Sequence, residues 1–470
     1  MLKLHEEITV PRSPEECFRY IADFRTTLEW DATAVAAEKI TPGPIGTGTV
    51  FALRCKAGPG TVAIDYEVEE HQPWHSLVLV GRSRFFDVRD TIVMTEVENG
   101  THIDYTAEFT FHLGLEKLAK LRESSMHKMG ERSLEGLRKA LTDNNPPPET
   151  SACTAKADQW VWPGVAMFSK WGFRRGRKHW QPVSQSMHGK HVVLTGATAG
   201  LGRVTATALA EAGATLTLVI RKPEMAEPLR NALIEETGNE NIRIELADLG
   251  LLSEVDALIE RLLSRQQPID VLINNAGALF NEYAKTDEDI ERSLALLLLS
   301  PWRLTEGLRP LLANHETPAR VVNVVSGGMY TERLSLKRLE MTPDDYNGPR
   351  AYARAKRALT VMTEYWAEQW REDNIVVNAM HPGWADTPGV QGALPTFRSI
   401  TRLILRSPEE GADTIVWLAR ASEADQVTGK LFLDREPRTT YLNEKTREKP
   451  EDRAQLPDWL QQRYQALNLS

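Results

Sequence analysis

The chain has 470 residues, more than a single core ordinarily takes, so two domains are expected. Its formal net charge of −9 disfavours nucleic acid as a partner, and three scattered cysteines (Cys17, Cys55, Cys153) indicate neither a disulfide framework nor a metal site. No apolar run approaches the roughly 20 residues of a membrane-spanning helix, and Met1–Glu7 is charged where a signal peptide is apolar, so a cytoplasmic setting is expected.

From the amino terminus, Leu4–Val10 alternates as a strand does, and Ser13-x-x-Glu16 has the capping-box spacing for a helix continuing through Cys17–Phe24. Strands are predicted at Gly48–Leu53, Thr61–Glu67, Ser76–Arg82, Thr91–Val97 and His102–Phe111. Gly114–Leu141 has apolar residues at helical spacing, which predicts a long helix with one buried face. His71 and His75 bracket a Pro73-Trp74 turn, so no metal site is read there. The run Asp143–Pro148 (DNNPPP) cannot continue a helix and ends the first domain near residue 145. This order of elements, with the run VPRSPEECFRYIADFRTTLEWD and its Trp30, resembles the START-like polyketide cyclase/SRPBCC superfamily. The resemblance implies an α+β helix-grip fold around an apolar cavity. Such a domain either binds an apolar ligand or serves only as a structural partner.

Residues 146–188 read as a linker. Gln159–Trp180 sets four tryptophans beside Arg174, Arg175, Arg177 and Lys178, as a membrane-surface segment does. Pro163, Gly164, Gly172 and Gly176 spoil a continuous amphipathic helix, so a linker packed across the second domain is the other reading.

The second domain is predicted over residues 189–442, followed by a polar tail, 443–470. His191–Arg203 (HVVLTGATAGLGR) places a β-branched strand before Thr195-Gly196-x-x-x-Gly200-Leu201-Gly202, and a helix then follows. Strand, glycine turn and helix form half of a dinucleotide-binding unit. Gly196 permits the tight turn, and Gly200 and Gly202 are expected to clear a path for a pyrophosphate to the helix N-terminus. Further strands are predicted at Ala214–Ile220, Asn241–Ala247, Ile269–Ile273, Arg320–Val325 and Ile375–Met380, with helices at Leu251–Leu263 and Ile290–Leu299. Alternating strands and helices predict a doubly wound parallel sheet, a Rossmann-type α/β fold.

Polar landmarks end these strands: Asp248-Leu249, Asn274-Asn275-Ala276-Gly277, Ser326, and Pro382-Gly383. With the glycine turn and Tyr352-x-x-x-Lys356, they resemble the short-chain dehydrogenase/reductase family over about Gly189 to Leu442. The runs Val324–Met329 and Met380–Val390 point to an orphan subgroup of it. The resemblance implies that the glycine turn, Asp248-Leu249, Asn274–Gly277, Pro382-Gly383 and Thr387 contact a nicotinamide nucleotide. It also implies that Ser326, Tyr352 and Lys356 carry the chemistry.

The residues argue similarly. Tyr352 and Lys356, four apart on a helix, share a face, so the ammonium is expected to lower the phenol's pKa. Such a phenol exchanges a proton with a carbonyl or alcohol oxygen, and Ser326 donates a hydrogen bond to that oxygen. Tyr441-x-x-x-Lys445 repeats the spacing by chance, in the polar tail. One departure stands out. The family's relay asparagine aligns with Leu297, which can neither donate nor accept. The relay runs without it, a nearby polar group substitutes, or the enzyme is slow.

Arg221, 19 residues past Gly202, with Lys222 and Arg203, favours NADP(H) over NAD(H), since a 2′-phosphate asks for arginine where a 2′-hydroxyl asks for an acid. Tyr330–Arg350 reads as part of the substrate entrance, and Pro388–Arg406 as an apolar lid. The expected function is NADP(H)-dependent interconversion of a carbonyl and an alcohol on an apolar small molecule. The competing reading is a nucleotide-binding, small-molecule-binding protein without catalysis. A homo-oligomer is compatible with either.

Overall fold

The computed structural model describes residues 2–57, 60–112, 114, 123–142, 147–152, 154, 166–177, 180, 183, 185–313, 315, 317–386, 391, 401–402, 404–441 and 446–467. The chain divides into two compact units. The smaller is Met1–Asn145 with Trp180–Ser186 and Glu235–Gly238, and the larger is the remainder.

The smaller unit is built on a seven-stranded antiparallel sheet. Its strands are β1 (Leu2–Val10), β2 (Ala34–Lys39), β3 (Val50–Ala57), β4 (Gly60–Gln72), β5 (Ser76–Arg82), β6 (Phe86–Val97) and β7 (Gly100–Phe111), in the order β1-β7-β6-β5-β4-β3-β2. Helix α1 (Pro14–Ala22) starts on the expected capping box: Ser13 Oγ accepts the Glu16 N–H at 3.3 Å, and Glu16 Oε2 accepts the Ser13 N–H at 3.1 Å. Helix α2 (Glu123–Leu141) buries Leu134, Leu137, Ala140 and Leu141 in one core with Phe18, Ile21, Phe51, Leu77, Leu79, Ile92 and Ile103. The edge strand β2 was not expected, because its AVAAEK sequence is short of the bulky residues that mark a strand. Antiparallel sheet and long helix together are the helix-grip arrangement.

The larger unit contains helix α3 (Lys170–Arg177) and an eight-stranded sheet of β8 (His191–Thr195), β9 (Thr215–Ile220), β10 (Ile242–Leu246), β11 (Val271–Asn274), β12 (Ala319–Val324), β13 (Ile375–Met380), β14 (Leu431–Leu433) and β15 (Glu436–Arg438). The order is β10-β9-β8-β11-β12-β13-β14-β15, parallel except for the last pair. Strands β8, β12 and β13 are buried at every residue, as in parallel sheets covered on both faces. Helices α4 (Gly200–Glu211), α5 (Ala226–Thr237), α6 (Leu252–Ser264), α7 (Ser300–Leu312), α8 (Gly348–Gln369) and α9 (Pro408–Arg420) alternate with the strands. Strand order reverses between β8 and β11, the switch point at whose carboxyl ends such sheets bind ligands.

Strands β14 and β15 go beyond the six strands expected, and two further elements differ from expectation. Ile290–Leu299 is not one α-helix: Arg292–Leu294 is α-helical, Ala295–Leu299 is π-helical, and α7 continues from Ser300. The supposed polar tail contains helix α10 (Pro450–Gln465), whose Leu456 and Leu460 are fully buried in the core of this unit. Its other positions are so charged that those two leucines barely register as a pattern.

Candidate active site

The glycine turn is tied to the neighbouring strand end. Thr195 Oγ1 accepts the N–H groups of Asn275 and Ala276, both at 3.0 Å, and Asn275 Nδ2 donates to the carbonyls of Thr195 (2.9 Å) and Gly196 (3.1 Å). Gly196 and Gly200 have φ of +73° and +57°, the left-handed region that favours glycine. Gly202 has a different job from the one expected. A Cβ there would lie 2.1 Å from the Gly196 carbonyl oxygen and 2.5 Å from Asn275 Nδ2. Its missing side chain lets α4 close onto its own turn.

Asn274 also differs. Its amide points into the interior, donating to Thr305 Oγ1 (2.9 Å) and Asn323 Oδ1 (2.8 Å), and Asn323 passes the chain on to Thr363 Oγ1 (2.9 Å). Asn274 therefore braces strands against helices, and both N–H groups of its amide are engaged there. After β10, an Asp248 carboxylate oxygen accepts the Gly250 N–H at 2.8 Å, and Leu249 is buried. Arg221 and Lys222 are exposed directly after β9. Arg203 donates to Thr207 Oγ1 on its own helix.

Ser326, Tyr352 and Lys356 meet at the carboxyl end of β12. Ser326 Oγ accepts the Gly328 N–H at 3.2 Å and lies near enough to the half-buried Tyr352 phenol to lower its pKa. One turn along α8, Lys356 is 3% exposed, and its ammonium donates to the Val324 carbonyl at 2.7 Å. That ammonium lies 6.0 Å from the centroid of the Tyr352 ring. Burial brings the Lys356 ammonium down to about 8. The phenol moves opposite to expectation: burial raises it, and the neighbouring Ser326 hydroxyl only partly opposes this.

Leu297 lies on the π-helical turn, fully buried. A Cβ on Gly277 would stand 3.1 Å from Leu297 Cδ2 and 3.7 Å from Lys356 Nζ, so Gly277, Leu297 and Lys356 converge. On the other flank, Gly383 has φ of +69°, and a Cβ on Gly411 of α9 would be 2.7 Å from Leu201 Cδ2 and 3.6 Å from Pro382 Cβ. The Leu201 turn and the Pro382-Gly383 turn thus close on one point. Thr387 and most of the proposed lid lie outside the described residues, as does Lys445. Tyr441 sits under the Arg447 guanidinium, 5.1 Å from ring centroid to Cζ. Two nearby residues had no role in the sequence reading: Phe168 and His381, the latter buried with Nε2 unpartnered among the described residues.

The model of the short chain dehydrogenase family matches residues 190–396. Dehydrogenase/reductase SDR family member 12 of Homo sapiens is 36% identical over 286 residues, spanning 60% of this chain and 89% of that protein. The chain belongs to the short-chain dehydrogenase/reductase family. Its larger unit is accordingly an oxidoreductase domain of the alcohol/carbonyl type that uses a nicotinamide nucleotide. Retinol dehydrogenase 13 of Homo sapiens is 30% identical, over 53% of this chain and 78% of that protein. Among solved structures, L-sorbose reductase from Gluconobacter frateurii, complexed with NADPH and L-sorbose, is 25% identical. It covers 54% of this chain and 97% of that chain, with a TM-score of 0.44. Residues 1–142 match the family described as polyketide cyclase / dehydrase and lipid transport. Among the described residues no helix is long and apolar enough to cross a membrane.

Proposed function

We propose that this protein is an NADP(H)-dependent reductase of an apolar ketone or aldehyde, with Ser326, Tyr352 and Lys356 at its reacting centre. The convergence of these three side chains at the end of β12 carries the reading. When NADPH is bound, it would supply the hydride that reduces the carbonyl carbon. Tyr352, whose phenol burial keeps protonated, gives its proton to the carbonyl oxygen. Ser326 Oγ donates a hydrogen bond to that oxygen as negative charge develops. Lys356 holds positive charge beneath the phenol and so favours the phenolate that proton transfer leaves behind.

The 2′-phosphate of NADP(H) is assigned to Arg221 and Lys222, which extend into solvent where β9 ends. Met1–Asn145 is assigned the holding of an apolar ligand, which would raise its concentration beside the reductase.

The test uses the full chain, NADPH and 2-acetonaphthone as a ketone probe. Tyr352→Phe is expected to lose about 10²–10⁴ of turnover while NADPH affinity stays within about twofold. Retained turnover in that variant overturns the assignment. Tight nucleotide binding without turnover in the unaltered protein favours the non-catalytic reading, which Leu297 among apolar neighbours also supports.

A further inference from the structure

The helical segment carrying α3 precedes the residues matched by the dehydrogenase family model, which begin at Lys190. Nevertheless it brings a side chain to the reacting centre. The half-buried Phe168 ring stacks with Tyr330 at 6.3 Å and meets His381 edge-on at 4.9 Å and Trp384 edge-on at 6.0 Å. A Cβ on Gly327, the residue after Ser326, would lie 3.2 Å from the Phe168 ring. A Cβ on Gly383 would lie 2.6 Å from the Phe168 carbonyl oxygen. Phe168 therefore touches both the serine end and the Pro382-Gly383 end of the site, and glycine at both contacts lets it approach.

The segment is fastened there. The Phe168 carbonyl accepts the Trp384 N–H at 2.8 Å. Arg406, fully buried, donates to the carbonyls of Met167 (2.6 Å), Phe168 (3.0 Å) and Ser169 (3.2 Å) and pairs with Asp434. A guanidinium that spends its donors on three successive carbonyls fixes backbone, and Phe168 with it.

We propose that Phe168 is a specificity-determining wall of the substrate site, selecting uncharged carbonyl compounds with a planar ring over flexible aliphatic ones, and that Arg406 is its positioning residue. This rests on Ser326, Tyr352 and Lys356 being the reacting centre. The surrounding side chains are Tyr330, Trp384 and His381, and the imidazole is held neutral by burial and by the charges of Arg438 and Arg406. A flat ring gains stacking contact with Phe168 and Trp384 that a chain of the same area does not. A charged group would lose its hydration against these rings.

The experiment measures NADPH oxidation by the full chain with two methyl ketones, 2-acetonaphthone and 2-octanone, which share the reacting group. Phe168→Leu and Phe168→Ala are expected to raise KM for 2-acetonaphthone by about fivefold, the value of one aromatic pair, with kcat and NADPH affinity nearly unchanged. KM for 2-octanone is expected to move by less than about twofold. Arg406→Lys is expected to reproduce the KM shift in weaker form, and the Phe168 variants stand alone if Arg406→Lys does not fold. An unchanged KM for 2-acetonaphthone in Phe168→Ala, an equal shift for both ketones, or better turnover of 2-octanone by the unaltered protein overturns the proposal. Failure of the reacting centre shows separately, as turnover that survives Tyr352→Phe. If the unaltered protein turns over neither ketone, the planar-ring selection is overturned as well.

Discussion

In the smaller unit Asp90, 3% exposed, lies on the inner face of β6 near the phenols of Tyr66 on β4 and Tyr105 on β7, which partly oppose the rise that burial gives its carboxyl. Gly81 on the intervening β5 makes this possible, since a Cβ there would stand 2.7 Å from the Tyr66 ring. In the larger unit Tyr352 is raised by the same desolvation, yet it is half-buried at a strand end beside Ser326. Both sets pair a phenol with an ionisable group in apolar surroundings. Where it is enclosed, the carboxyl lies buried among three strands and its titration is a matter of stability. The one at the strand ends has access to solvent, so its titration can become chemistry.

The largest effect expected from this contrast is on folding. Burial pushes the Asp90 carboxyl up to about 7, so the folded unit binds that proton more tightly than the unfolded chain does. Its contribution is then full below about pH 4 and is lost as pH rises through about 7, by up to about 4 kcal/mol for a shift of some three pH units. Asp90→Asn keeps the size and shape of the side chain and removes the charge. Calorimetry of the full chain should find the variant more stable than the unaltered protein at pH 8 and little different at pH 4, with reductase turnover unchanged. A stability difference that does not depend on pH would break the contrast.

Next is the alkaline limb of activity. Lys356 is lowered to about 8 by burial, so its ammonium is present below that pH and lost above it. Turnover that relies on this charge should fall about tenfold per pH unit beyond 8. Lys356→Arg, whose guanidinium stays charged, should show no such limb even if its rate is lower. A flat profile to pH 9.5 in the unaltered protein would detach Lys356 from the chemistry. The smallest effect concerns an exposed charge: Arg221→Asp should cut the preference for NADPH over NADH by about tenfold in a fluorescence titration. An unmoved preference would shift the 2′-phosphate away from the end of β9.

Much of the fold was legible because local chemistry writes it. The capping box at Ser13 and Glu16, the left-handed glycine turn at Gly196 and the β-branched runs of β8, β12 and β13 each demand one conformation. Ser326, Tyr352 and Lys356 were legible as types at fixed positions in that order. What escaped depends on direction or partners. Asn274 reads like Asn275, and only the alternation of a strand end decides which one turns inward. The π-helical turn at Ala295–Leu299 is a slip of hydrogen bonding that leaves no mark on an ALLLL sequence. The sign of the Tyr352 shift followed burial, which spacing cannot report. Phe168 is one aromatic among several in its segment, and only its meeting with Gly327, His381 and Trp384 distinguishes it.

The most direct test of the account is transfer of label. NADPH deuterated at the reactive C4 position is incubated with 2-acetonaphthone and either the unaltered chain or Tyr352→Phe, and the alcohol is examined by mass spectrometry. The account predicts deuterium on the carbinol carbon with the unaltered protein and almost none with Tyr352→Phe, although both bind the nucleotide. Transfer by Tyr352→Phe at the unaltered rate, or bound nucleotide that transfers no label in either protein, would contradict it.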